Sequence, residues 1–122
     1  SPSGMPGVQT LVPVMLDHVN AGRLSLQRFS DLTCGGPARI FGIAGKGRIA
    51  NGYCADFTIA DLGARREITD MWIASRAGWT PFNGKTVTGW PIMTVLAGKA
   101  IMRDGQLLGE ASGAALRFHE CL

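Results

Sequence analysis

The spacing of apolar residues changes between Gly42 and Gly47, and this change constrains the fold more than any other feature of the sequence. Before it, apolar residues recur at helical spacing, which places them on one face of a helix. After it, they alternate with polar or small residues, as is typical of strands. With 122 residues, 46% of them hydrophobic and 17% charged, the chain can form one domain with a core. We therefore expect an α+β fold.

Three short helices are predicted in the first third of the chain. In the first, four apolar residues stand at helical spacing and share one face: Leu11, Met15, Leu16 and Val19. Thr10 is its expected N-cap, and Pro13 falls in the first turn, where a missing N–H group costs little. Gly22 is the expected C′ residue that ends this helix.

The second and third helices are bounded by glycines. The second is expected to begin after Ser25, its N-cap, and to end at Gly35–Gly36. The third opens with Pro37 at its first position and closes at Gly42. Each helix is apolar on one side only, so each must pack against another element.

The first strands are predicted in residues 48–69. RIANGY, at 48–53, is expected to be a strand. GYCADFTIADL, at 52–62, alternates so regularly that it predicts a buried strand. The stretch REIT, at 66–69, is a further candidate.

The last strands are predicted in residues 85–108, which hold two or three of them. Asp104–Gly105 is a strong signal for a two-residue hairpin turn, and Ala97–Gly98 is a weaker one. Gly89 and Pro91 are expected to interrupt a strand, which predicts an edge position or a bulge there.

Charge and cysteine usage exclude several classes of function. The net charge is +3, but the basic residues are scattered, and Arg65–Arg66 is their only adjacent pair, so nucleic-acid binding is not expected. No apolar run reaches the roughly 18 residues of a membrane span. Cys34, Cys54 and Cys121 have no CxxC spacing and an odd count, which indicates reduced thiols and a cytoplasmic protein.

Few titratable side chains are placed for catalysis. His18 and His119 are far apart in sequence, and neither lies at ligand spacing from another histidine, cysteine or paired carboxylate; His18 is expected to be a partly exposed helix histidine. Cys54 is expected to pack as a small apolar residue. Asp56 and Asp61 are expected to accept hydrogen bonds from nearby backbone at a turn and at strand ends. No catalytic residue is predicted.

Two other groups of residues admit two interpretations. The glycines of GIAGKGRIANG, residues 42–52, resemble a phosphate loop, but GKS or GKT is missing and a turn is favoured. Trp72, Trp79 and Trp90, with Phe82, could form an aromatic platform for a ligand. Packing in a core or interface is the more frequent role of such residues.

The opening segment SPSGMPG, residues 1–7, is a candidate for binding. A loop rich in glycine and proline that leads into a helix exposes backbone N–H groups, which can hold an anion such as a substrate carboxylate. An ordinary loop is an alternative of equal weight. Because the sequence starts without an initiator methionine, we expect the chain to be a fragment.

Several stretches, taken in order, resemble the C-terminal part of the dihydroorotase family, and the resemblance runs from Ser1 to about Phe118. The PAR–FG, KG–I–G and AD–T–D patterns are common to the whole amidohydrolase superfamily, which includes dihydropyrimidinase and allantoinase. The WTPF–G–VTG–P stretch favours dihydroorotase over these relatives. The matching stretches are MPGVQTLVPVML, GRLSLQRFSDLTCGGPARIFGI, KGRIANGYCADFTIADL and WTPFNGKTVTGWPIMTVLAGKAIMRDG.

The resemblance implies a larger enzyme built as a (β/α)₈ barrel with a small β-sandwich. Residues 1–46 would be the last barrel loop and helices, and residues 47–122 the C-terminal strands of the sandwich. In the family, one or two zinc ions at the barrel mouth activate a hydroxide that attacks the ring amide. The zinc ligands of the family lie upstream of residue 1, so we assign no metal ligand to this chain and expect it to bind no cofactor alone.

The resemblance also implies a substrate-binding role for the opening loop. In the family, backbone groups of the loop after the last barrel strand approach the substrate carboxylate, and by position they fall on Ser3 and Gly4, with Pro6 and Gly7 nearby. One departure is Cys54, where relatives usually have an aspartate; it puts the local turn geometry in question rather than catalysis.

The first hypothesis is therefore the C-terminal portion of a dihydroorotase, which interconverts N-carbamoyl-L-aspartate and dihydroorotate in pyrimidine biosynthesis. The isolated chain is expected to be inactive. Alternatives are a dihydropyrimidinase or allantoinase fragment, or a non-catalytic assembly module with the same fold. The expected partners are the small-molecule substrate, further copies in a homo-oligomer and aspartate carbamoyltransferase, with no nucleic acid and no membrane.

Overall fold

The computed structural model describes residues 3–119, which form helices followed by an antiparallel sheet. The α+β expectation is confirmed. A π-helical turn, Asp31–Gly35, lies between the second and third helices, and a 3₁₀ turn, Asp70–Trp72, precedes the second strand. The helices are α1 (Leu11–Asn20), α2 (Leu26–Ser30) and α3 (Gly36–Ile40), and the strands are β1 (Phe57–Glu67), β2 (Thr86–Leu96), β3 (Lys99–Arg103) and β4 (Gln106–Leu107).

The chain divides into two compact units. The first consists of Ser1–Leu24 and Ala60–Pro91, and the second of Ser25–Ile59 and Ile92–Leu122. The strand order in the sheet is β1-β2-β3-β4, so β1 is an outer strand. The division at residue 46 into barrel and sandwich parts stays a prediction.

In the first unit, α1 begins and ends close to the predicted residues. Pro13 is its third residue and is buried, and Gly22 follows it with φ +73°, as the C′ prediction requires. Thr10 precedes the helix, but it does not cap it: its hydroxyl donates to the Gly7 carbonyl oxygen over 3.2 Å. The capping prediction is wrong because the Thr10 backbone is already helical, whereas an N-cap residue is extended.

The core of the first unit is aromatic and aliphatic. Trp72 and Trp90 pack with ring centroids 4.7 Å apart. The core interpretation is thus confirmed for these two tryptophans, whereas Trp79 is 36% exposed. Ile68, Val87 and Trp90 form the buried centre, and Val14, Ala64, Trp72 and Phe82 pack around it.

Strand β2 runs without interruption through Gly89 and Pro91, so the predicted break and edge position are wrong. Gly89 has φ +107°, and a Cβ there would lie 2.5 Å from the Leu16 Cβ. The glycine is therefore explained by the close approach of α1 rather than by a strand end. In the pairing of β2 with β3, a register shift lies further along, between Thr94 and Val95, whereas the predicted bulge near Trp90 stays a prediction.

In the second unit, the helices follow one another more directly than predicted. Ser25 caps α2, since its Oγ accepts from the Arg28 amide over 3.0 Å. The predicted end at Gly35–Gly36 is wrong: both glycines have helical φ values near −60°, and the π-helical turn leads straight into α3. A Cβ on Gly36 would lie 2.6 Å from the Asp31 carbonyl oxygen, so any larger residue at this position would clash with the backbone of the π-helical turn. Gly42, with φ +63°, ends α3 as predicted.

The predicted strand RIANGY is wrong, because residues 48–53 form turns and bends. Gly47 precedes this segment and Gly52 lies within it, each with a φ of +85°, outside the range of a regular strand. Cys54 lies before β1 and is exposed, so its predicted apolar packing is also wrong. Its amide donates to the Gly45 carbonyl oxygen over 2.8 Å, which supports a turn rather than a phosphate loop.

Strand β1 is longer and more exposed than predicted. It continues to Glu67, so REIT is not a separate strand. Ile59 is 44% and Leu62 is 43% exposed. The buried-strand prediction is wrong, because alternation of residues does not by itself provide cover for the side chains on either face of a strand.

Both predicted hairpin turns are confirmed in the second unit. Ala97 and Gly98 have φ of +49° and +80°, and they join β2 to β3. Asp104 and Gly105 have φ of +49° and +82°, and they join β3 to β4. Positive φ at both central residues is the requirement of a type I′ turn.

Candidate functional site

The opening loop lies ahead of α1 in the first unit. Ser3 and Gly4 are exposed, and a Cβ on Gly4 would meet no atom within 4 Å. Gly7 anchors the far end of the loop, because its carbonyl oxygen accepts from the Leu11 amide over 3.1 Å and from the Thr10 hydroxyl over 3.2 Å. The described part of the loop is therefore exposed at Ser3 and Gly4 and is fixed at Gly7, where it meets the helix.

Gln9 joins this loop to a distant segment. Its Nε2 donates to the Trp72 carbonyl oxygen, and its Oε1 accepts from the Ala74 amide, each over 2.8 Å. The partners are 63 and 65 residues away in sequence. Because donor and acceptor of one carboxamide are both used, the orientation of the side chain is fixed.

The segment that Gln9 binds begins at Asp70, which makes two further hydrogen bonds. The Asp70 carboxylate accepts from the Thr80 amide over 2.8 Å, and the Asp70 amide donates to Asn83 Oδ1 over 2.9 Å. Trp72 then packs against Trp90 in the core. These contacts hold the start of the segment, and Gln9 holds its continuation at Ala74.

A cavity of about 400 Å³ lies between the loop and this segment. That volume is within the range of small-molecule sites. No side chain in its lining titrates near neutral pH, so the cavity can bind and orient a ligand but offers no side chain for proton transfer. Ser3 and Gly4 precede the lining, which consists of Pro6, Gly7, Val8, Gln9, Thr10, Ile73, Ala74 and Ser75.

Sequence reasoning proposed the loop as a binding segment, which stays a prediction, and did not include Gln9 or the opposite wall of the cavity, Ile73–Ser75. A single glutamine between Val8 and Thr10 carries no motif, and its partners are more than 60 residues away. Only the three-dimensional structure brings them together.

The two histidines lie in different places and make different contacts. His18 lies in α1, half-buried, and its Nδ1 accepts from Arg23 Nε over 2.7 Å, which confirms a helix histidine. The His119 amide donates to the Gly42 carbonyl oxygen over 2.7 Å. Among residues 3–119, no three histidine, cysteine or acidic side chains group together as a metal site would need. The described part of the chain therefore does not fit a metal ion by itself.

Asp56 and Asp61 bind backbone, as predicted. Asp61 lies inside β1 rather than at its end, and its Oδ1 accepts from the amides of Gly63 and Ala64 over 2.9 and 3.1 Å. Asp56 pairs with Lys46 and accepts from the Ala97 amide over 2.8 Å. The hydrogen bond from Lys46, then that from Ala97, lowers the Asp56 pKa, and the bond to Asp56 raises the Lys46 pKa. These carboxylates are structural.

Comparison with known proteins identifies the family. The amidohydrolase family matches residues 7–101. The dihydroorotase of Methanothermobacter thermautotrophicus is 43% identical over 108 residues, which cover 88% of this chain and 25% of that protein. The dihydroorotase of Pyrococcus furiosus is 39% identical over 111 residues, which cover 91% of this chain and 27% of that protein.

Solved structures agree with the sequence relatives. The L-hydantoinase (dihydropyrimidinase) of Arthrobacter aurescens superimposes with a TM-score of 0.86 at 36% identity, over 90% of this chain and 25% of that one. The D-hydantoinase of a Thermus species gives a TM-score of 0.80 at 32% identity, over 89% and 24%.

The matched relatives are much longer than this chain. The chain spans about a quarter of the length of the curated relatives it matches. None of the helices in residues 3–119 has the length and apolar character that a membrane crossing needs. On the match over residues 7–101, this chain belongs to the amidohydrolase family.

Proposed function

We propose that this chain is the C-terminal portion of a dihydroorotase, a cytoplasmic, zinc-dependent enzyme of pyrimidine biosynthesis that interconverts N-carbamoyl-L-aspartate and dihydroorotate. The observation that carries the proposal is the 43% identity to a dihydroorotase over 88% of the chain. Because the chain spans a quarter of that relative, the activity belongs to a longer protein of which this chain is a part.

Within that protein, residues 1–46 would form the last loop and helices of the (β/α)₈ barrel, and residues 47–122 the C-terminal strands of the β-sandwich. The TM-score of 0.86 to L-hydantoinase supports a shared arrangement over 90% of the chain. The helices in the first 46 residues and the sheet after them are consistent with this division.

In the substrate complex, backbone amides of Ser3 and Gly4 would bind the carboxylate of dihydroorotate, and the adjacent cavity would receive part of its ring. The exposure of both residues and the cavity that begins at Pro6 support this assignment. Backbone N–H groups suit the task, because hydrogen bonds to a charged partner are stronger than neutral ones.

Zinc would have to be held elsewhere in the full-length protein, because residues 3–119 supply no ligand set. When bound, the metal supplies an activated hydroxide. This chain would contribute substrate binding and orientation, so we expect the isolated chain to show no turnover.

A second candidate is a hydantoinase or dihydropyrimidinase, which the likeness to L-hydantoinase favours. The two candidates differ at the carboxylate: dihydroorotate has one on its ring, whereas hydantoin and dihydrouracil have none. The proposed role of Ser3 and Gly4 therefore applies to the first candidate.

The test is a comparison of substrates with the full-length protein. Purified protein is assayed with dihydroorotate, dihydrouracil and a 5-substituted hydantoin, before and after chelation and with zinc restored. We expect the highest kcat/KM for dihydroorotate, its loss on chelation and its recovery with zinc. Preference for the hydantoin would support the second candidate, and failure to hydrolyse any of the three would overturn both.

We also propose that the full-length protein is a homo-oligomer. Ile40 and Phe41, adjacent at the end of α3, are 78% and 67% exposed in this chain, and we propose them as part of the contact between copies. Light scattering of the full-length protein measures its mass directly, and a monomer would contradict the proposal. Association with aspartate carbamoyltransferase stays a prediction, for which co-purification of the two proteins is the test.

A further inference from the structure

We propose that Gln9 is a positioning residue that holds the wall Ile73–Ser75 of the cavity and thereby sets its selectivity among cyclic amides. The inference rests on the proposed function for one of its parts, namely that a cyclic amide occupies the cavity. The positioning itself follows from the contacts of this chain.

Both hydrogen bonds of the Gln9 side chain are made to backbone atoms, one in the wall and one in Trp72, the residue just before it. The carboxamide donates to the Trp72 carbonyl oxygen and accepts from the Ala74 amide, so it spans the peptide groups on either side of Ile73. Only a side chain with one donor and one acceptor in this geometry makes both bonds. A carboxylate accepts from Ala74 but cannot donate to Trp72.

The wall has few other anchors. In residues 3–119, the other hydrogen bonds of residues 73–75 join positions no more than three apart: the Ile73 amide donates to Asp70, and Ser75 accepts from Ala77 and Gly78. Such local turns shape the segment but do not fix its distance from the loop. Gln9 supplies that link.

The opposite wall is fixed independently. Gly7 accepts from Leu11 and Thr10 at the start of α1, and neither bond involves Gln9. Loss of the Gln9 carboxamide should therefore release one wall and leave the other in place. A cavity with one loose wall holds a small ring less well and discriminates less against bulkier rings, because selectivity depends on fixed lining groups.

The experiment compares Gln9→Ala and Gln9→Glu with wild type in the full-length protein. Gln27→Ala is the matched control, since Gln27 is an exposed glutamine in α2. Hydrogen exchange by mass spectrometry follows the peptide that contains residues 73–75. Steady-state kinetics gives kcat and KM for dihydroorotate and for a bulky 5-substituted hydantoin.

In Gln9→Ala we expect exchange at residues 73–75 to accelerate, and KM for dihydroorotate to rise, each by about 5- to 30-fold. We expect kcat to change less than KM, and the preference for dihydroorotate over the hydantoin to fall. Gln9→Glu should raise KM similarly while keeping part of the exchange protection at Ala74. Gln27→Ala should match wild type in every measurement.

Unchanged exchange at residues 73–75 in Gln9→Ala would overturn the positioning role. Faster exchange with unchanged KM and selectivity, in an active enzyme, would overturn the role in selectivity. A wild-type protein that hydrolyses no cyclic amide would overturn the proposed function and the selectivity role with it, while the exchange data would still decide whether Gln9 holds the wall.

Discussion

The carboxylate of Asp17, in α1, accepts a hydrogen bond from the backbone amide of Thr88, in β2, over 3.0 Å and across 71 residues of sequence. Arg23 and Lys85 approach the other oxygen of Asp17, each at 3.9 Å. Ion pairs of that length between partly exposed side chains contribute little to stability. The hydrogen bond from Thr88 is therefore the main stabilising contact of Asp17. Asp17 thus acts mainly as a hydrogen-bond acceptor for the strand.

This relationship predicts different effects for two substitutions of Asp17. Asp17→Ala leaves the Thr88 amide without its partner, and we expect a loss of about 1–3 kcal/mol in the free energy of unfolding. Asp17→Asn keeps an acceptor oxygen and removes only the charge, so we expect a loss below about 1 kcal/mol. Urea denaturation of both variants measures the difference. Equal losses would show that the charge, rather than the hydrogen bond, is what matters.

Gly89→Ala should be among the more damaging small substitutions in the chain. Its Cβ would lie 2.5 Å from the Leu16 Cβ, at a φ of +107°. Crowding and backbone strain together predict a loss of about 2–4 kcal/mol in the free energy of unfolding. Gly98→Ala is the control, because Gly98 has φ +80° but open space around it. Gly98→Ala should lose only about 1 kcal/mol in the free energy of unfolding, from backbone strain. Thermal denaturation compares the two variants. A lower stability of Gly98→Ala than of Gly89→Ala would refute the steric explanation.

The pair of Lys46 and Asp56 predicts the pH dependence of stability. The Asp56 pKa is lowered from 3.8, so its contribution is present above that pH and is lost as pH falls through the lower value. The Lys46 pKa is raised from 10.5, so its contribution is present below that pH and is lost as pH rises through the higher value. Wild type should exceed Asp56→Asn in unfolding free energy by about 1 kcal/mol near neutral pH.

That advantage over Asp56→Asn should shrink in strong acid and in strong base. Asparagine keeps an acceptor for the Ala97 amide but replaces the oxygen that faces Lys46 with an NH₂ donor, so the comparison measures the whole interaction with Lys46, its charge and its hydrogen bond together. Chemical denaturation at a series of pH values provides the measurement. A difference that stayed constant from acid to base would mean that the two charges do not stabilise the fold.

Substitutions at Gly4 test the proposed binding of the substrate carboxylate by backbone. Gly4→Pro removes the N–H group, and we expect KM for dihydroorotate in the full-length protein to rise by about 10-fold or more, as for the loss of a hydrogen bond to a charged group. Gly4→Ala keeps the N–H group and adds a Cβ into open space, so it should match wild type. The same KM in both variants would remove Gly4 from the site.

Local signals in the sequence predicted the parts of the fold that depend on few neighbouring residues. Ser25 caps α2 because a serine side chain reaches the amide three positions on. Gly22 and Gly42 end helices, and Asp104–Gly105 turns a hairpin, because these positions require positive φ. In each case the responsible atoms lie within one turn of the chain.

The errors fall where distant residues decide the outcome. Gly89 looked like a break in a strand, whereas the approach of Leu16 from α1 explains it. Ile59 and Leu62 belong to a stretch with the pattern of a buried strand, but both are exposed, since cover for a strand face comes from residues distant in sequence. For the candidate site, the loop was predictable from its glycines, but the Gln9 bonds across more than 60 residues were not.

The π-helical turn Asp31–Gly35 has a consequence for comparing this chain with its relatives. A π turn accommodates one residue more than an α turn, and one residue corresponds to about 100° of rotation around a helix. The π turn takes up this extra residue locally, so deleting one residue here would convert the turn to regular α-helix and leave the residues that follow in α3 on the same face. A relative without the extra residue therefore aligns with a one-position gap between Asp31 and Gly36. A helical wheel drawn through residues 26–40 without allowance for that gap assigns the wrong side chains to the packed face.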